Sequence, residues 1–234
     1  MEKIGTVARL RRYPVKSMRG EDLDSVTVES YGFVGDRIYA YVIDDAPNPR
    51  FPWMSARQAA EMLLYKPSFR RAGEIEIQTP YGEKYSVRDV ALENTLEERY
   101  GYGVFLKHRE SGCHDSKPVS ILGIQTVKRL EEETGIGELE PERFRANIYA
   151  DWETGEPFLE DRLIGSRLQI GENVMLKVVK KDSRCVIPTL DPRTGIASPG
   201  ILEKIRSNHA GTFGVYAEVL SIGRINKGDV INLD

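Results

Sequence analysis

Short runs of alternating apolar and polar residues recur along most of the chain. Residues 23–29 alternate most cleanly, with Val26 and Val28 two positions apart, so both side chains would lie on one face of a β-strand. Glycine, proline and polar residues separate such runs and favour turns between strands. The same pattern predicts further strands at residues 4–10, 38–43, 118–122, 145–149, 168–170, 174–179, 214–222 and 229–233, and a hairpin at residues 74–78 and 83–87.

Helical spacing of apolar residues is confined to a few short segments. In residues 124–133, Val127 and Leu130 lie on one helical face, and a glycine then ends the pattern. Many short strands with few helices predict a mainly β, α+β fold, namely a β-barrel core with peripheral short helices. The other predicted helices are residues 56–65, capped by Ser55, residues 92–100, capped by Asn94 or Thr95, and residues 201–206.

A polar segment at residues 107–117 indicates how the chain is divided. It is loop-like and carries Cys113 and two of the three histidines. We therefore predict a β-rich N-terminal subdomain at residues 1–107 and a second domain at residues 108–234. The same segment is equally compatible with a loop inside one continuous body. No internal repeat marks any other division.

Composition and charge narrow the class of partner. The chain has 234 residues, of which 40% are hydrophobic and 29% charged, as in an ordinary globular protein. A formal net charge of −3 does not favour binding to nucleic acid or to an anionic membrane. Small molecules or proteins therefore remain as the expected partners. No apolar run approaches the ~20 residues of a membrane span, and the N-terminus lacks the apolar centre of a signal peptide. These features predict a cytoplasmic protein.

Two cysteines, Cys113 and Cys185, lie far apart and do not suggest a disulfide framework. Cys185 follows a predicted strand, and a free cysteine most often packs as a small hydrophobic residue. It could instead bind a metal, because a thiolate is a soft ligand and a neighbouring cation such as Arg184 would favour the charged form. One cysteine without a C-x-x-C or H-x-x-x-H pairing cannot build a zinc site, so a cofactor would have to supply the remaining ligands.

Two groups of motifs, in the expected order, resemble a known family. The second half contains Arg143-Phe144-Arg145-Ala146-Asn147-Ile148, Pro157-Phe158, Ile164-Gly165 and Ser183-Arg184-Cys185, followed by an Asp-Pro-Arg-Thr-Gly turn. This pattern resembles the MOSC domain, a family named after the C-terminal domain of molybdenum-cofactor sulfurase. The first half contains Arg12-Tyr13-Pro14-Val15-Lys16-Ser17 and Gly32-Phe33-Val34-Gly35-Asp36-Arg37, which resemble the N-terminal β-barrel domain that precedes MOSC in the amidoxime-reducing component proteins. The resemblance is weakest between residues 60 and 105.

The resemblance implies a molybdopterin-type molybdenum cofactor, in which tungsten could replace molybdenum. Cys185 matches the catalytic position that supplies the protein ligand to the metal. Guanidinium groups and a lysine suit the phosphate of such a cofactor, and hydroxyl or amide groups suit the pterin edge. Arg143 is an alternative to Arg145, and Tyr216 could equally be a core tyrosine. The positions that match cofactor-binding residues are Lys16, Ser17, Arg37, Arg145, Asn147, Ser183, Arg184 and Tyr216.

The same resemblance implies an oxidoreductase that removes oxygen from small N-hydroxylated compounds, such as hydroxylamines or amidoximes. We expect a separate electron-transfer protein as donor, because the sequence lacks the cysteines of an iron–sulfur cluster domain. The alternative is a carrier module that holds persulfide sulfur on Cys185 or stores the molybdenum cofactor. The pyridoxal-phosphate domain of the sulfurase has no counterpart in this sequence. A β-barrel with a merely buried cysteine is the third possibility.

Several other polar residues are predicted to have structural or solvated roles. Asp36 is expected to brace Arg37 or its own turn, and Asp191 to bond the backbone of the Asp-Pro turn. The histidines, His108, His114 and His209, are expected to be solvated. Pro188 departs from the hydroxyl-rich loop expected of the family, and it removes a backbone donor near Cys185.

Overall fold

A closed barrel of seven strands forms the centre of the molecule. The computed structural model describes residues 2–70 and 73–234. The helices of this part are α1 (Val90–Tyr100), α2 (Ile124–Thr134), α3 (Leu159–Arg162) and α4 (Gly200–His209), with short 3-10 helices at Ala60–Leu64, Pro141–Phe144 and Ile187–Thr189. The strands are β1 (Glu2–Arg12), β2 (Glu21–Leu23), β3 (Ser25–Glu29), β4 (Gly32–Phe33), β5 (Tyr39–Ile43), β6 (Lys66–Phe69), β7 (Ile75–Gln78), β8 (Lys84–Ser86), β9 (Val104–His108), β10 (Val119–Gly123), β11 (Ile148–Trp152), β12 (Arg167–Ile170), β13 (Val174–Ser183), β14 (Thr212–Ser221), β15 (Gly223–Asn226) and β16 (Val230–Leu233). The predicted mainly β fold with a barrel core and short helices is confirmed.

Strands from both halves of the chain build the barrel. Its order is β1, β11, β10, β14, β13, β12 and β16, and β16 pairs again with β1. Neighbouring strands are antiparallel except β10 and β11, which are parallel. Because β1 pairs with β11 on one side and β16 on the other, the N-terminal strand closes the barrel that the second half of the chain forms.

The alternation seen in the sequence fills the barrel interior. In β13, Val174, Leu176 and Val178 are fully buried, as every second residue of a strand with one inward face should be. Val7 of β1 and Ile148 of β11 pack in the same cluster. Burying each such aliphatic side chain contributes about 1.5–3 kcal/mol.

A second apolar cluster lies in the N-terminal half. β5 pairs with β9, and β6, β7 and β8 form a small antiparallel sheet. Together with α1 and the first 3-10 helix, these strands bury Tyr41, Met62, Tyr65, Ile77 and Leu96. The N-terminal half thus has a core of its own, although its first strand belongs to the barrel.

Helix boundaries differ from the prediction where local geometry interferes. The helix predicted at residues 56–65 was wrong, because only a 3-10 helix at Ala60–Leu64 forms. Pro67 keeps Lys66 in an extended conformation, and β6 begins there. The cap of α1 is Asp89, whose carboxylate accepts from Ala91 N at 2.9 Å, rather than Asn94 or Thr95. None of the helices in the described residues is long and apolar enough to cross a membrane.

Candidate functional site

A cleft of about 380 Å³ lies where the chain leaves β1 and β13. It brings together every residue that the sequence proposed for the site, from positions as far apart as Lys16 and Tyr216. Arg143, the alternative to Arg145, lines it as well. The proposed residues along its wall are Lys16, Ser17, Arg37, Arg145, Asn147, Ser183, Arg184, Cys185 and Tyr216.

Three of these residues have a left-handed backbone. The φ angles of Ser17, Arg37 and Arg145 are 65°, 53° and 53°. This conformation costs a residue with a Cβ roughly 1 kcal/mol or more, and such strain tends to occur at functional sites. The turn at Arg145 also shows why the strand predicted at residues 145–149 was placed too early, since β11 starts only at Ile148.

The end of β13 gives the cleft a run of consecutive residues. Lys180 to Cys185 all line it, although side chains of a regular strand alternate between faces. Two register shifts against β14, between Val178 and Lys180 and between Lys181 and Ser183, interrupt the alternation. Side chains that are consecutive in sequence at this irregular strand end therefore line the same cavity.

Tyr13 packs against two arginines of the cleft. The guanidinium carbons of Arg37 and Arg145 lie 4.6 and 4.3 Å from its ring centre, within cation–π range. Arg37 also bonds the Asp36 carboxylate and donates to Arg145 O at 2.9 Å. Burial lowers the pKa of Arg37, but Asp36 together with Tyr13 and Tyr216 raises it, and the net pKa is raised. Asp36 further accepts from Tyr13 N, so its predicted bracing role is confirmed.

Arg145 is a buried cation of the cleft with one donor atom left unpaired. Its Nη1 donates to Met18 O at 2.8 Å, whereas its buried Nη2 has no partner among the described residues. Burial, together with the neighbouring Arg37, lowers the pKa of Arg145 to about 10. A buried donor without an acceptor is costly, so this guanidinium favours an acceptor inside the cleft.

Lys16 is another buried cation of the cleft. Its Nζ donates to Cys113 O at 2.8 Å and pairs with Asp115 Oδ1 at 2.9 Å. Burial lowers the pKa of Lys16, and the Asp115 carboxylate offsets only part of this effect.

Two other arginines brace the cysteine loop. Arg184 donates to Phe213 O at 2.7 Å and Phe144 O at 2.8 Å and pairs with Asp182 at 3.0 Å. Arg143 donates to Thr189 O and pairs with Glu140 and Asp191, each at 3.1 Å. Both guanidinium groups are therefore occupied by the protein itself. Asp191 also accepts from the amides of its own turn, as predicted.

The cation beside Cys185 is Arg57, which the sequence reading missed. Burial lowers the pKa of Arg57, but Cys185 and Asp115 outweigh it and the net pKa is raised. Asp115 lies 3.5 Å from Arg57 and also pairs with Lys16, so it joins both cations. The turn that presents Arg57 is fixed by Ser55, whose hydroxyl donates to Gln58 Oε1 at 2.7 Å and accepts from Arg57 N at 3.3 Å. The Ser-x-x-Gln spacing of a capping box was the available signal.

Asn147 and Tyr216 complete the wall. The Asn147 side chain accepts from Ser120 N and Oγ at 3.2 and 3.0 Å and donates to Arg11 O at 3.3 Å, so it ties β10 to β1. Tyr216 lies beside Asp182, and burial followed by that carboxylate raises the pKa of its hydroxyl. Burial likewise raises the pKa of Asp182.

His114 departs from the predicted solvated state. It is partly buried in the cleft, and burial with the neighbouring Arg37 lowers its pKa to about 4. Gly112 has a φ of 79°, and a Cβ there would lie 2.1 Å from His114 Nε2. His209 is not freely solvated either, since it stacks on Phe158 and bonds Glu133 at 2.8 Å. His108 is exposed, in agreement with the prediction.

The cleft is strongly basic. Asp115 and Asp182 are the only acids among the described lining residues, although carboxylates outside the lining, such as Asp36 and Asp191, pair with some of its cations. Because Arg145 and Lys180 have no carboxylate partner, an anionic ligand is favoured electrostatically. No group of three or more histidine, cysteine or carboxylate side chains in that part of the chain could hold a metal ion. Both cysteines are free, Cys113 buried and Cys185 partly exposed. The cationic lining residues are Lys16, Arg37, Arg57, Lys117, Arg143, Arg145, Lys180, Lys181 and Arg184.

Comparison with known proteins gives full-length similarities. The chain is 23% identical over 297 aligned positions to mitochondrial amidoxime reducing component 2 of Bos taurus, covering 99% of this chain and 84% of that protein. The crystal structure of the YuaD protein from Bacillus subtilis superimposes with a TM-score of 0.55 at 16% identity, covering 98% of this chain and 94% of that one, which supports the fold alone.

Two family models match consecutive parts of the chain. The MOSC N-terminal beta barrel domain matches residues 4–109, and the MOSC domain matches residues 108–232. The second match covers more than half of the chain and contains the Cys185 loop. The protein therefore belongs to the MOSC domain family.

Proposed function

We propose that this protein is a molybdenum-cofactor oxidoreductase that reduces small N-hydroxylated compounds such as hydroxylamines and amidoximes. The observation that carries the proposal is the cleft, which combines one accessible cysteine with an excess of basic side chains and an unpaired buried guanidinium. The MOSC family is associated with molybdenum-cofactor binding, and the bovine relative is named as an amidoxime reducing component.

The residues of the cleft fit an anionic pterin cofactor. The unpaired Nη2 of Arg145 needs an acceptor, which a phosphate or pterin oxygen would provide. Lys16, Arg37 and Ser17 would hold the cofactor together with Arg145, and Cys185 would be the single protein ligand to the metal. Asn147 and Arg184 already bond to the protein, so they would mainly fix the wall beside it. Ser183 and Tyr216 would complete the binding surface.

When bound, the cofactor would supply the redox chemistry by which R–NHOH, two electrons and two protons give R–NH₂ and water. The protein holds Cys185 on a loop that Arg143 joins to the 3-10 helix at Pro141–Phe144 and that Arg184 joins to β14, and it keeps Arg57 beside the thiol. The unpaired guanidinium of Arg145 would offset part of the negative charge of the cofactor.

The proposal includes a separate electron-transfer protein as donor and a small N-hydroxylated substrate. It also includes the division into an N-terminal subdomain at residues 1–107 and a MOSC domain at residues 108–234. Molybdenum and tungsten would both suit a thiolate and dithiolene ligand set, so metal analysis has to cover both.

The experiment is metal analysis and pterin fluorescence on protein from a host that makes molybdenum cofactor. Wild type and Cys113→Ala, a buried cysteine outside the cleft, should carry near-stoichiometric metal and pterin. Cys185→Ala should lose either the bound metal or the ability to reduce benzamidoxime with a reduced viologen as electron donor. Pterin can remain bound through its other contacts with the protein. Arg145→Ala should carry less pterin.

Absence of both metal and pterin from wild type made in a competent host would overturn the proposal. Cyanide-labile sulfur on Cys185, without stoichiometric metal, would instead identify a sulfur carrier.

A further inference from the structure

Lys180 is a cleft cation without a carboxylate partner. Lys16, Arg37, Arg57, Lys117, Arg143, Lys181 and Arg184 all pair with an aspartate or glutamate. Among the lysines and arginines that line the cleft in the described part of the chain, Arg145 and Lys180 alone have no carboxylate within 4.0 Å.

These two unpaired cations lie in different environments. Arg145 is deep in the wall against Tyr13, where the proposed cofactor would need a donor. Lys180 is exposed, on the irregular end of β13, with its Nζ 5.8 Å from the ring centre of Tyr216. An exposed ammonium at a cleft can bind an anion from solvent without a large desolvation cost.

An exposed aromatic side chain lines the same cleft. Phe51 is 45% exposed, in the loop between β5 and the first 3-10 helix. Its ring offers a flat apolar surface on which another ring can stack. Lys180 and Phe51 both line the cleft and are both exposed, so the cleft offers a cation and a stacking face to a ligand from solvent.

We propose that Lys180 is a specificity-determining residue that favours aromatic N-hydroxylated substrates carrying a negative charge, such as a carboxylate. This inference rests on the proposed function. The buried Arg145 would donate to the cofactor, whereas the exposed Lys180 remains available for the substrate. Because the pair would be solvent-exposed, its removal should change discrimination about two- to fivefold, and its reversal about three- to tenfold.

The test compares three substrates that differ only in charge: benzamidoxime, 4-carboxybenzamidoxime and 4-(trimethylammonio)benzamidoxime. Values of kcat/KM are measured with reduced viologen as the electron donor for every substrate. Any effect of a variant on electron donation then cancels when the kcat/KM values of two substrates are divided. The variants are Lys180→Gln and Lys180→Glu. Lys177→Glu is the matched control, because it makes the same charge change at an exposed position of β13 outside the cleft. Molybdenum and pterin content is measured for every variant.

Wild type should prefer the carboxylate over the trimethylammonium substrate. Lys180→Gln should weaken this preference and Lys180→Glu should reverse it, with normal cofactor content, while Lys177→Glu keeps the wild-type ratio. Equal ratios in wild type and Lys180→Glu would overturn the inference but leave the proposed function intact. Loss of pterin in Lys180→Glu would also overturn it, by assigning Lys180 to the cofactor. Failure of wild type to reduce any of the three would overturn the proposed function and the inference with it.

Discussion

Burial gives His114 a pKa of about 4, well below the 6.5 of a free imidazole. Between these two values the unfolded chain binds a proton at this position and the folded protein does not, so stability rises with pH. The free energy of unfolding should fall as pH drops from about 6.5 to about 4, by at most about 3 kcal/mol from this residue. In the cofactor-free protein, His114→Gln should lose less of its free energy of unfolding on acidification than wild type. Urea denaturation at pH 7.5 and 5 measures this difference.

The matched control for this residue is His108→Gln. His108 is exposed and lies outside the cleft, so this variant removes a histidine without changing the surroundings of His114. An unchanged loss of stability between pH 7.5 and 5 in His114→Gln would contradict the buried, neutral imidazole.

The sequence predicts the residues of the cleft better than their individual contacts. Cys185, Arg37 and Arg145 occur in motifs at strand ends, and the fold brings such ends together. The role expected of Arg184, as the cation beside the thiol, is filled by Arg57 instead. Arg57 comes from a segment more than a hundred residues away, and local sequence contains no information about that approach.

Among the elements, the loop after β13 depends on Arg143. This buried arginine joins the 3-10 helix at Pro141–Phe144 to Asp191 and Thr189 of the loop. Removing one partner of a buried ion pair costs about 3–5 kcal/mol. The low end of this range applies here, because Glu140 and Asp191 keep Arg193 as a surface partner. Arg143→Gln should therefore destabilise the cofactor-free protein by about 3 kcal/mol, measured by denaturant unfolding, and expose the loop to limited proteolysis.

Arg193 provides a close control, since it pairs with the same carboxylates, Glu140 and Asp191, at the surface. Arg193→Gln should change stability by less than about 1 kcal/mol. If Arg143→Gln keeps wild-type stability but loses pterin, Arg143 contacts the cofactor and its proposed bracing role is wrong.

At the scale of the whole molecule, alternation and turns predict a barrel but not its closure. Local patterns identify most strands, because buried positions recur every second residue. They do not identify β2, β4, β6, β9 or β15, and they cannot show that β1 pairs with β11, more than a hundred residues away. Strand pairing of this kind depends on cross-strand packing of residues such as Val7 and Ala150, which are distant in sequence.

Closure by β1 predicts that the MOSC segment does not fold alone, although a family boundary lies near residue 108. Without β1, the edges of β11 and β16 lose their partner and the buried Val7 and Leu10 leave the core. Exposed edges and an open core favour aggregation. A fragment of residues 108–234 should therefore be insoluble or lack a cooperative unfolding transition, and co-expression of residues 1–107 should restore a soluble complex.

The matched control keeps both segments and breaks only the connection between them. A protease site placed in the exposed stretch of residues 109–111 of the full chain should be cleavable, and the two pieces should stay together because strand pairing does not need the intact loop. Co-elution after cleavage in size-exclusion chromatography, with a single denaturation transition, would fit one cooperative unit. A soluble 108–234 fragment that unfolds cooperatively on its own would show instead that the MOSC segment is an independent domain and that β1 only docks onto it.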